Sequence, residues 1–162
     1  MAIDTKQVAN RRKVHYRSLE DILSDIDRIE EAHRLGTLQT MGNWSAGQIL
    51  SHVAAWIEYG YVGYPVKSPP WFIRWILKGM LKKYLKNGMP SGVKIPGIQA
   101  GTTGMDEAPL EDASERLRLA IRRLQAGEEC TYDSPAFGKM SHEDRIRLNL
   151  RHAELHLSFL SW

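Results

Sequence analysis

Two histidines one helical turn apart, His152 and His156, are the residues of this chain best placed to do chemistry. Positions i and i+4 of an α-helix lie on one face, so both imidazole rings can reach a single ion. A helical wheel places both rings and Asn149 near the middle of a broad buried face. That face is formed by two apolar groups: Ile146, Leu150, Ala153, Leu157 and Leu160, and Leu148, Leu155 and Phe159. The opposite face is expected to be solvated and holds Arg147, Arg151, Glu154 and Ser158.

A third histidine, His52, falls in the apolar arc of another predicted helix. A buried ring without a partner costs roughly 1–3 kcal/mol, and either a metal ion or a hydrogen-bonded neighbour can be that partner. Facing helices of a bundle pack about 8–10 Å apart, which allows the three rings to meet. Three neutral imidazoles suit zinc, nickel or another late first-row metal and leave a coordination position open. The pattern favours His52, His152 and His156 as ligands of one divalent metal, with water or a small-molecule substrate in the open position.

Three other residues are candidates for the wall of this pocket: Trp56, Tyr59 and Asn149. Asn149 could orient a ligand or a bound water, and core packing explains its position equally well. For Trp56 and Tyr59, core packing is the favoured explanation. No catalytic residue can be assigned beyond the candidate metal ligands.

Other chemistries are disfavoured by the residues present. A zinc peptidase of the H-E-x-x-H type needs a glutamate directly after the first histidine, where this chain has Ala153. The remaining histidines lie near helix ends and are expected at the surface; they are His15, His33 and His142. Cys130 is the single cysteine, which excludes an internal disulfide, and we expect a half-buried thiol rather than a nucleophile.

Helical periodicity dominates the chain, and strand signals are nearly absent. The first helix is expected to begin after Ser18 and end at Gly36, and a capping-box pattern at Ser45 and Gln48 opens a second that runs to about Val62. Further helices are expected over 71–85, over 110–126, and from Ser141 nearly to the C-terminus. The prediction is a single all-α domain, 1–162: an antiparallel four-helix bundle with an additional short helix. It has an N-terminal arm, 1–17, and an irregular loop, 87–109.

Composition sets the broad class. The chain is 43% hydrophobic, with a formal net charge of +3, as expected for a globular protein with a core of its own. The first residues lack the apolar run of a signal peptide, and no apolar stretch reaches the length of a membrane span. We therefore expect a cytoplasmic protein. No nucleic-acid partner is expected, because the basic clusters are not accompanied by a nucleic-acid-binding motif.

Residues 71–86 combine bulky apolar side chains with five cationic ones. This pattern is typical of an amphipathic helix at a membrane interface. Packing against the bundle or across a homodimer explains the same pattern, because lysine stems can cover apolar surface. Packing is the favoured explanation, and membrane association the less favoured one.

Three segments resemble a known group of proteins. Residues 43–53, NWSAGQILSHV, resemble the W-s-x-x-q-x-l-x-H-l segment of the DinB/YfiT-like superfamily, and His152-x-x-x-His156 resembles its final-helix ligand pair. Residues 135–141, PAFGKMS, resemble the P-x-F-G-x-l-s element of the uncharacterised DUF1569 branch. The resemblance implies a four-helix bundle with a divalent metal bound by His52, His152 and His156.

The resemblance also implies a range of activities. Characterised members of the superfamily include metal-dependent transferases that use a low-molecular-weight thiol, an isomerase and some hydrolases, and others are known only as damage-inducible proteins. We therefore expect a metal-dependent enzyme that activates a thiol or a water, of the thiol transferase or hydrolase type. The alternative is a non-enzymatic protein related to damage or stress, with a structural metal or none.

Overall fold

A computed structural model describes residues 3–162; Met1 and Ala2, the start of the predicted arm, lie outside the described residues. These residues form five helices and two short strands. The helices are α1, Leu19–Arg34; α2, Ala46–Val62; α3, Trp71–Asn87; α4, Leu110–Gln125; and α5, His142–Leu157. The strands are β1, Gln39–Thr40, and β2, Leu160–Ser161, which pair antiparallel. The predicted all-α bundle class is confirmed. Within the described residues, no helix combines the length and the apolar character needed to cross a membrane.

Local capping explains where the helices begin. At α2 the Ser45 hydroxyl accepts the Gln48 amide at 3.2 Å, while the Gln48 side chain accepts the Ser45 amide at 2.9 Å, so the predicted capping box is present. The Ser141 hydroxyl caps α5 by accepting the Asp144 amide at 3.1 Å. Gly36 follows α1 with a φ of 70°, a backbone conformation that glycine adopts without steric cost.

Four helices, α1, α2, α4 and α5, surround one hydrophobic core. Apolar residues at helical spacing supply it, including Ile22, Ile26, Ile29, Leu50, Leu117, Ile121, Leu124 and Leu157, all essentially inaccessible to solvent. α3 lies outside this group and packs along α5. Every side chain of α3 is at least partly exposed.

The predicted solvated face of α5 is wrong at three of its four positions. Arg147 is exposed, but Arg151 and Ser158 are buried and the Glu154 side chain is only 11% exposed. The N-terminal arm, residues 3–17, covers them. The Glu154 carboxylate accepts the Tyr16 amide at 2.6 Å, and the Arg151 guanidinium donates to the Tyr16 carbonyl at 2.6 Å. These polar residues of α5 therefore form a surface that hydrogen-bonds to the N-terminal arm.

Arg12 connects the N-terminal arm by hydrogen bonds to α1 and to the C-terminal residues. Its guanidinium donates two hydrogen bonds of 2.7 Å to Asp25, which is 3% exposed, and its Nε donates to the Leu160 carbonyl at 2.9 Å. The Tyr16 hydroxyl donates to the same carboxylate at 2.5 Å. Burial and the negative charge of Asp25 raise the pKa of Tyr16 far above its usual value. A fully bonded buried ion pair of this kind fixes the arm in one position.

The last helix is shorter than predicted, because α5 ends at Leu157 and does not continue almost to Trp162. The Phe159 carbonyl accepts the Met41 amide at 2.9 Å, and the next two residues pair with β1. Pairing with a distant segment satisfies backbone groups that a longer helix would have bonded internally. Helical periodicity at 157–160 gave no sign of this change.

Candidate metal centre

The side chains of His52, His152 and His156 meet in the interior, His52 from α2 and the other two from α5. One ligand nitrogen of each ring lies within 4.8 Å of those of the other two. Ring centroids are 5.0 Å apart for His52 and His152, 4.4 Å for His52 and His156, and 4.6 Å for His152 and His156. The rings are inclined to one another rather than stacked, so their nitrogens can point at a common centre.

A main-chain oxygen sets the orientation of the His52 ring. Nδ1 of His52 lies 2.8 Å from the carbonyl oxygen of Thr103. Because a carbonyl oxygen can only accept, Nδ1 carries the hydrogen and donates it, which leaves the lone pair of Nε2 free. Histidines that ligate metals are commonly held through the other ring nitrogen in this way. The same carbonyl oxygen also accepts the indole N–H of Trp56 at 3.3 Å.

Burial keeps the three imidazoles neutral near pH 7. His52 and His152 are 2% and 8% exposed, and His156 is partly buried. Desolvation lowers the pKa of His52 to about 4, despite the opposing hydrogen bond to Thr103. Desolvation also lowers the pKa values of His152 and His156, and positive charge on neighbouring rings lowers them further. A neutral imidazole is the form that binds a metal.

The donor set and its spacing fit one divalent metal ion. Nitrogens at 2.0–2.1 Å from a tetrahedral centre lie about 3.4 Å apart, so separations within 4.8 Å need only small side-chain movements. Three histidines occupy three positions of a tetrahedral ion, which is the ligand count of catalytic rather than structural zinc sites. Their role as ligands remains a prediction.

Two tryptophans enclose the histidines. Trp44, just before α2, stacks on His156 with ring centroids 5.6 Å apart and an angle of 14° between the planes. Trp56, one turn after His52, lies 6.0 Å from the ring of His52 and 5.8 Å from that of His152. Trp56 is one of the candidates for the pocket wall in the sequence, where core packing was the favoured explanation of its position, and Trp44 is not among those candidates. The position of Trp44 eight residues before His52 carries no helical signal, because it lies outside the helix.

The other two candidate pocket residues contact partners outside the group of three histidines. Tyr59 packs against Trp56, with ring centroids 5.7 Å apart, and so supports the position of the Trp56 ring. The Asn149 side chain donates to the Arg145 carbonyl, one turn earlier in α5, at 2.9 Å. Contact with a bound ligand stays a prediction for both.

The Thr103 carbonyl that contacts His52 lies near the end of the long loop, residues 87–109. Gly47 in α2 lies so close to the loop that a Cβ atom there would be 2.0 Å from the Ala108 carbonyl oxygen. Ser45 donates its hydroxyl hydrogen to Glu107 at 3.0 Å. Gly104 has a φ of 80°, and a Cβ there would lie 2.6 Å from that of Ala55. Glycines on both sides therefore allow the loop to lie directly on α2.

Ion pairs of Arg116 connect the same loop, residues 87–109, to α2 and α4. The guanidinium of Arg116, in α4, donates to the carboxylate of Glu58 in α2, with distances of 2.7–3.1 Å, and to Asp106 in the loop at 3.1 Å. These carboxylates raise the pKa of Arg116 further. The sequence marked residues 87–109 as irregular, and the structure shows that the final part of this loop is an element of the candidate site.

The remaining histidines lie apart from the centre, as predicted. His142 is exposed, and the side chains of His15 and His33 are 65% and 52% exposed. Nδ1 of His15 lies 3.1 Å from the Glu154 carboxylate. Cys130 is half-buried with a free thiol, which agrees with the expectation of an ordinary structural cysteine.

The fold and the site together define a helical-bundle protein with an interior cluster of three histidines. The family model of DUF1569, described as a protein of unknown function, matches residues 8–161. The chain therefore belongs to the DUF1569 family. No curated protein and no solved structure matches the chain.

Proposed function

We propose that this protein is a metal-dependent enzyme of the DinB/YfiT-like type, with His52, His152 and His156 as ligands of one zinc or nickel ion. The observation that carries the proposal is the convergence of three interior imidazoles with ligand nitrogens within 4.8 Å of one another. His52 is held through Nδ1 by the Thr103 carbonyl, and burying the remaining ring nitrogens without a partner would be costly. A shared ion removes that cost.

The chain's own residues would have three tasks at this site. His52, held by the Thr103 carbonyl, fixes one ligand direction and so limits where a substrate can lie. Trp44 and Trp56 cover the rings, which excludes water and strengthens electrostatic interactions inside. A bound divalent ion would lower the pKa of a coordinated thiol or water and make a nucleophile available at neutral pH.

Arg11 contacts residues that follow His156 in the chain and could bear on the substrate. Desolvation is the largest cause of the lowered pKa of His156, and the charge of Arg11 is a smaller one. Its guanidinium stacks 4.6 Å from the centroid of Phe159 and donates to the Ser158 hydroxyl at 3.3 Å. A small-molecule substrate or a thiol with an anionic group would be favoured by this charge.

Metal content is the first test. Purified wild-type protein, loaded with zinc or nickel and passed through a desalting column, should retain about one ion per chain by elemental analysis. His152→Ala should lose most of it, whereas His142→Ala, at an exposed histidine of the same helix, should retain it. Metal content that is substoichiometric in the wild type and unchanged in His152→Ala would refute the proposal.

The absorption spectrum of cobalt-substituted protein tests whether a thiol or only water enters the open coordination position. A low-molecular-weight thiol entering the open position should produce a sulfur-to-cobalt charge-transfer band, and a thioether of the same size should not. If neither thiol nor pH changes the spectrum, the coordination position is not open. The ion would then be structural, and its removal should lower the melting temperature substantially, as expected for the non-enzymatic alternative.

A further inference from the structure

The outward face of α3 is an apolar and cationic surface that the bundle leaves uncovered. Five large apolar side chains in its first two turns are exposed: Trp71 by 80%, Phe72 by 51%, Ile73 by 38%, Trp75 by 76% and Ile76 by 54%. A Cβ atom added at Gly79 would meet nothing within 4 Å, so the space outside this face is open. Packing against the bundle or across a homodimer was the favoured explanation of the sequence pattern, and packing on the bundle does not account for these five residues.

The inward face of the same helix accounts for the rest of its apolar residues. The partly buried positions are Leu77, Met80, Leu81, Tyr84 and Leu85, and Tyr84 packs edge-on against Phe137 with ring centroids 6.1 Å apart. At 100° per residue, Trp71, Trp75, Lys82 and Lys86 lie on the opposite side. The helix therefore has one apolar side for the protein and a second, mixed side directed away from it.

Charge on the outward side is of one sign. Residues 59–105 contain seven of the 22 basic residues and none of the 19 acidic ones, so the rest of the chain carries a net negative formal charge. The seven are Lys67, Arg74, Lys78, Lys82, Lys83, Lys86 and Lys94. Among the described residues, the ion pairs all use cations outside this segment. The charge is thus free to meet an anionic partner.

We propose that the outward face of α3 binds the surface of an anionic phospholipid bilayer. Exposed tryptophans and a phenylalanine suit the depth of the lipid headgroups, and the lysines of the last two turns can contact lipid phosphates. A helix of 17 residues is about 25 Å long, which allows it to lie flat along the membrane plane. The binding is peripheral and independent of the metal site.

The charge pattern disfavours a second copy of this chain as the occupant. A two-fold interface places the same surface against itself, and residues 59–105 hold no carboxylate that could pair with the lysines of the other copy. Nucleic acid is also less well matched. Protein–nucleic acid interfaces are polar, whereas the first two turns of α3 present five exposed bulky apolar side chains.

Vesicle co-sedimentation tests the proposal with the full chain. Binding is expected to mixed phosphatidylcholine and phosphatidylglycerol vesicles at low salt, to weaken as salt is added, and to be absent with phosphatidylcholine alone. Lys82→Gln with Lys83→Gln should weaken partitioning roughly 30-fold, from the attraction of two lysines to an anionic surface. Trp71→Ala with Trp75→Ala should weaken it by on the order of tenfold or more.

Matched controls use exposed residues on, or directly after, other helices. Arg28→Gln with Arg122→Gln removes the same charge, and Leu35→Ala with Leu119→Ala removes exposed apolar side chains; both pairs should bind like the wild type. Circular dichroism of every variant checks that the bundle is folded.

No binding to anionic vesicles at low salt overturns the proposal, as does equal loss of vesicle binding in the control variants. A dimer that Trp71→Ala with Trp75→Ala dissociates, or tighter binding of a single-stranded RNA oligonucleotide than of vesicles, would assign the face to another partner.

Discussion

Acidification of the metal-free protein should destabilise it through the three buried histidines. In the unfolded chain a histidine has a pKa near 6.5, whereas burial lowers the pKa of His52 to about 4 in the folded protein. Between these values the unfolded chain binds a proton that the folded protein does not. Stability therefore rises with pH across this window and is lost as the pH falls through it.

The magnitude follows from the same two values. One such group changes the free energy of unfolding by about 1.4 kcal/mol per pH unit, so His52 alone should cost about 2 kcal/mol between pH 6.5 and pH 5. The pKa values of His152 and His156 are lowered in the same direction and add to the slope. Since domains of this size are stable by roughly 5–15 kcal/mol, the metal-free protein should be marginal at pH 5.

Urea unfolding followed by circular dichroism, with a chelator present, measures the slope at several pH values from 7.5 to 5. His52→Asn retains an amide donor for the Thr103 carbonyl and does not titrate, so its slope should be smaller by about 1.4 kcal/mol per pH unit. His142→Asn, at an exposed position, should keep the wild-type slope. Saturating zinc should raise stability, by about 2.7 kcal/mol at a hundredfold excess over Kd.

Two results would refute this reasoning. If wild type and His52→Asn have the same slope between pH 6.5 and 5, His52 is not buried as a neutral ring. If zinc stabilises neither protein, the three rings do not share an ion, and the metal proposal fails independently of the pH effect.

Two further predictions concern the residues that support the site. Gly47→Ala would place a Cβ 2.0 Å from the Ala108 carbonyl oxygen, displace the loop that carries Thr103, and weaken zinc binding about 10- to 100-fold in competition with a chromophoric chelator. Gly79→Ala, in open space, should leave the affinity unchanged, and equal affinities for both variants would contradict the loop's role. Asp25→Asn removes the buried partner of Arg12 and Tyr16 and should cost about 3–5 kcal/mol in urea unfolding. Asp27→Asn, with a side chain 69% exposed, should cost less than about 1 kcal/mol, and a similar loss in both would show that the arm is not held by this ion pair.

Local sequence patterns determined the elements of this protein. Ser45, Gln48 and Ser141 mark helix starts because capping acts over three residues, and Gly36 marks a helix end because its backbone conformation suits glycine. The i, i+4 spacing of His152 and His156 placed both rings on one face of α5. These signals depend on neighbours within one or two turns, so one sequence is enough to find them.

Contacts between distant residues decided the rest. The Thr103 carbonyl that orients His52 lies 51 residues away from it, and any main-chain carbonyl would look the same in sequence. Trp44 reaches His156 only because the segment before α2 lies next to α5. No local periodicity relates such pairs, because their positions depend on how the helices pack.

The buried polar face of α5 shows the same limit most clearly. Arg151, Glu154 and Ser158 have the residue types of a solvated surface, and the N-terminal arm covers them. Tyr16 bonds Arg151 and Glu154, and Arg11 donates to the Ser158 hydroxyl. The sequence determined that this face is polar. Only the tertiary structure decided whether water or another part of the chain would satisfy those polar groups, because either partner provides the hydrogen bonds that they require.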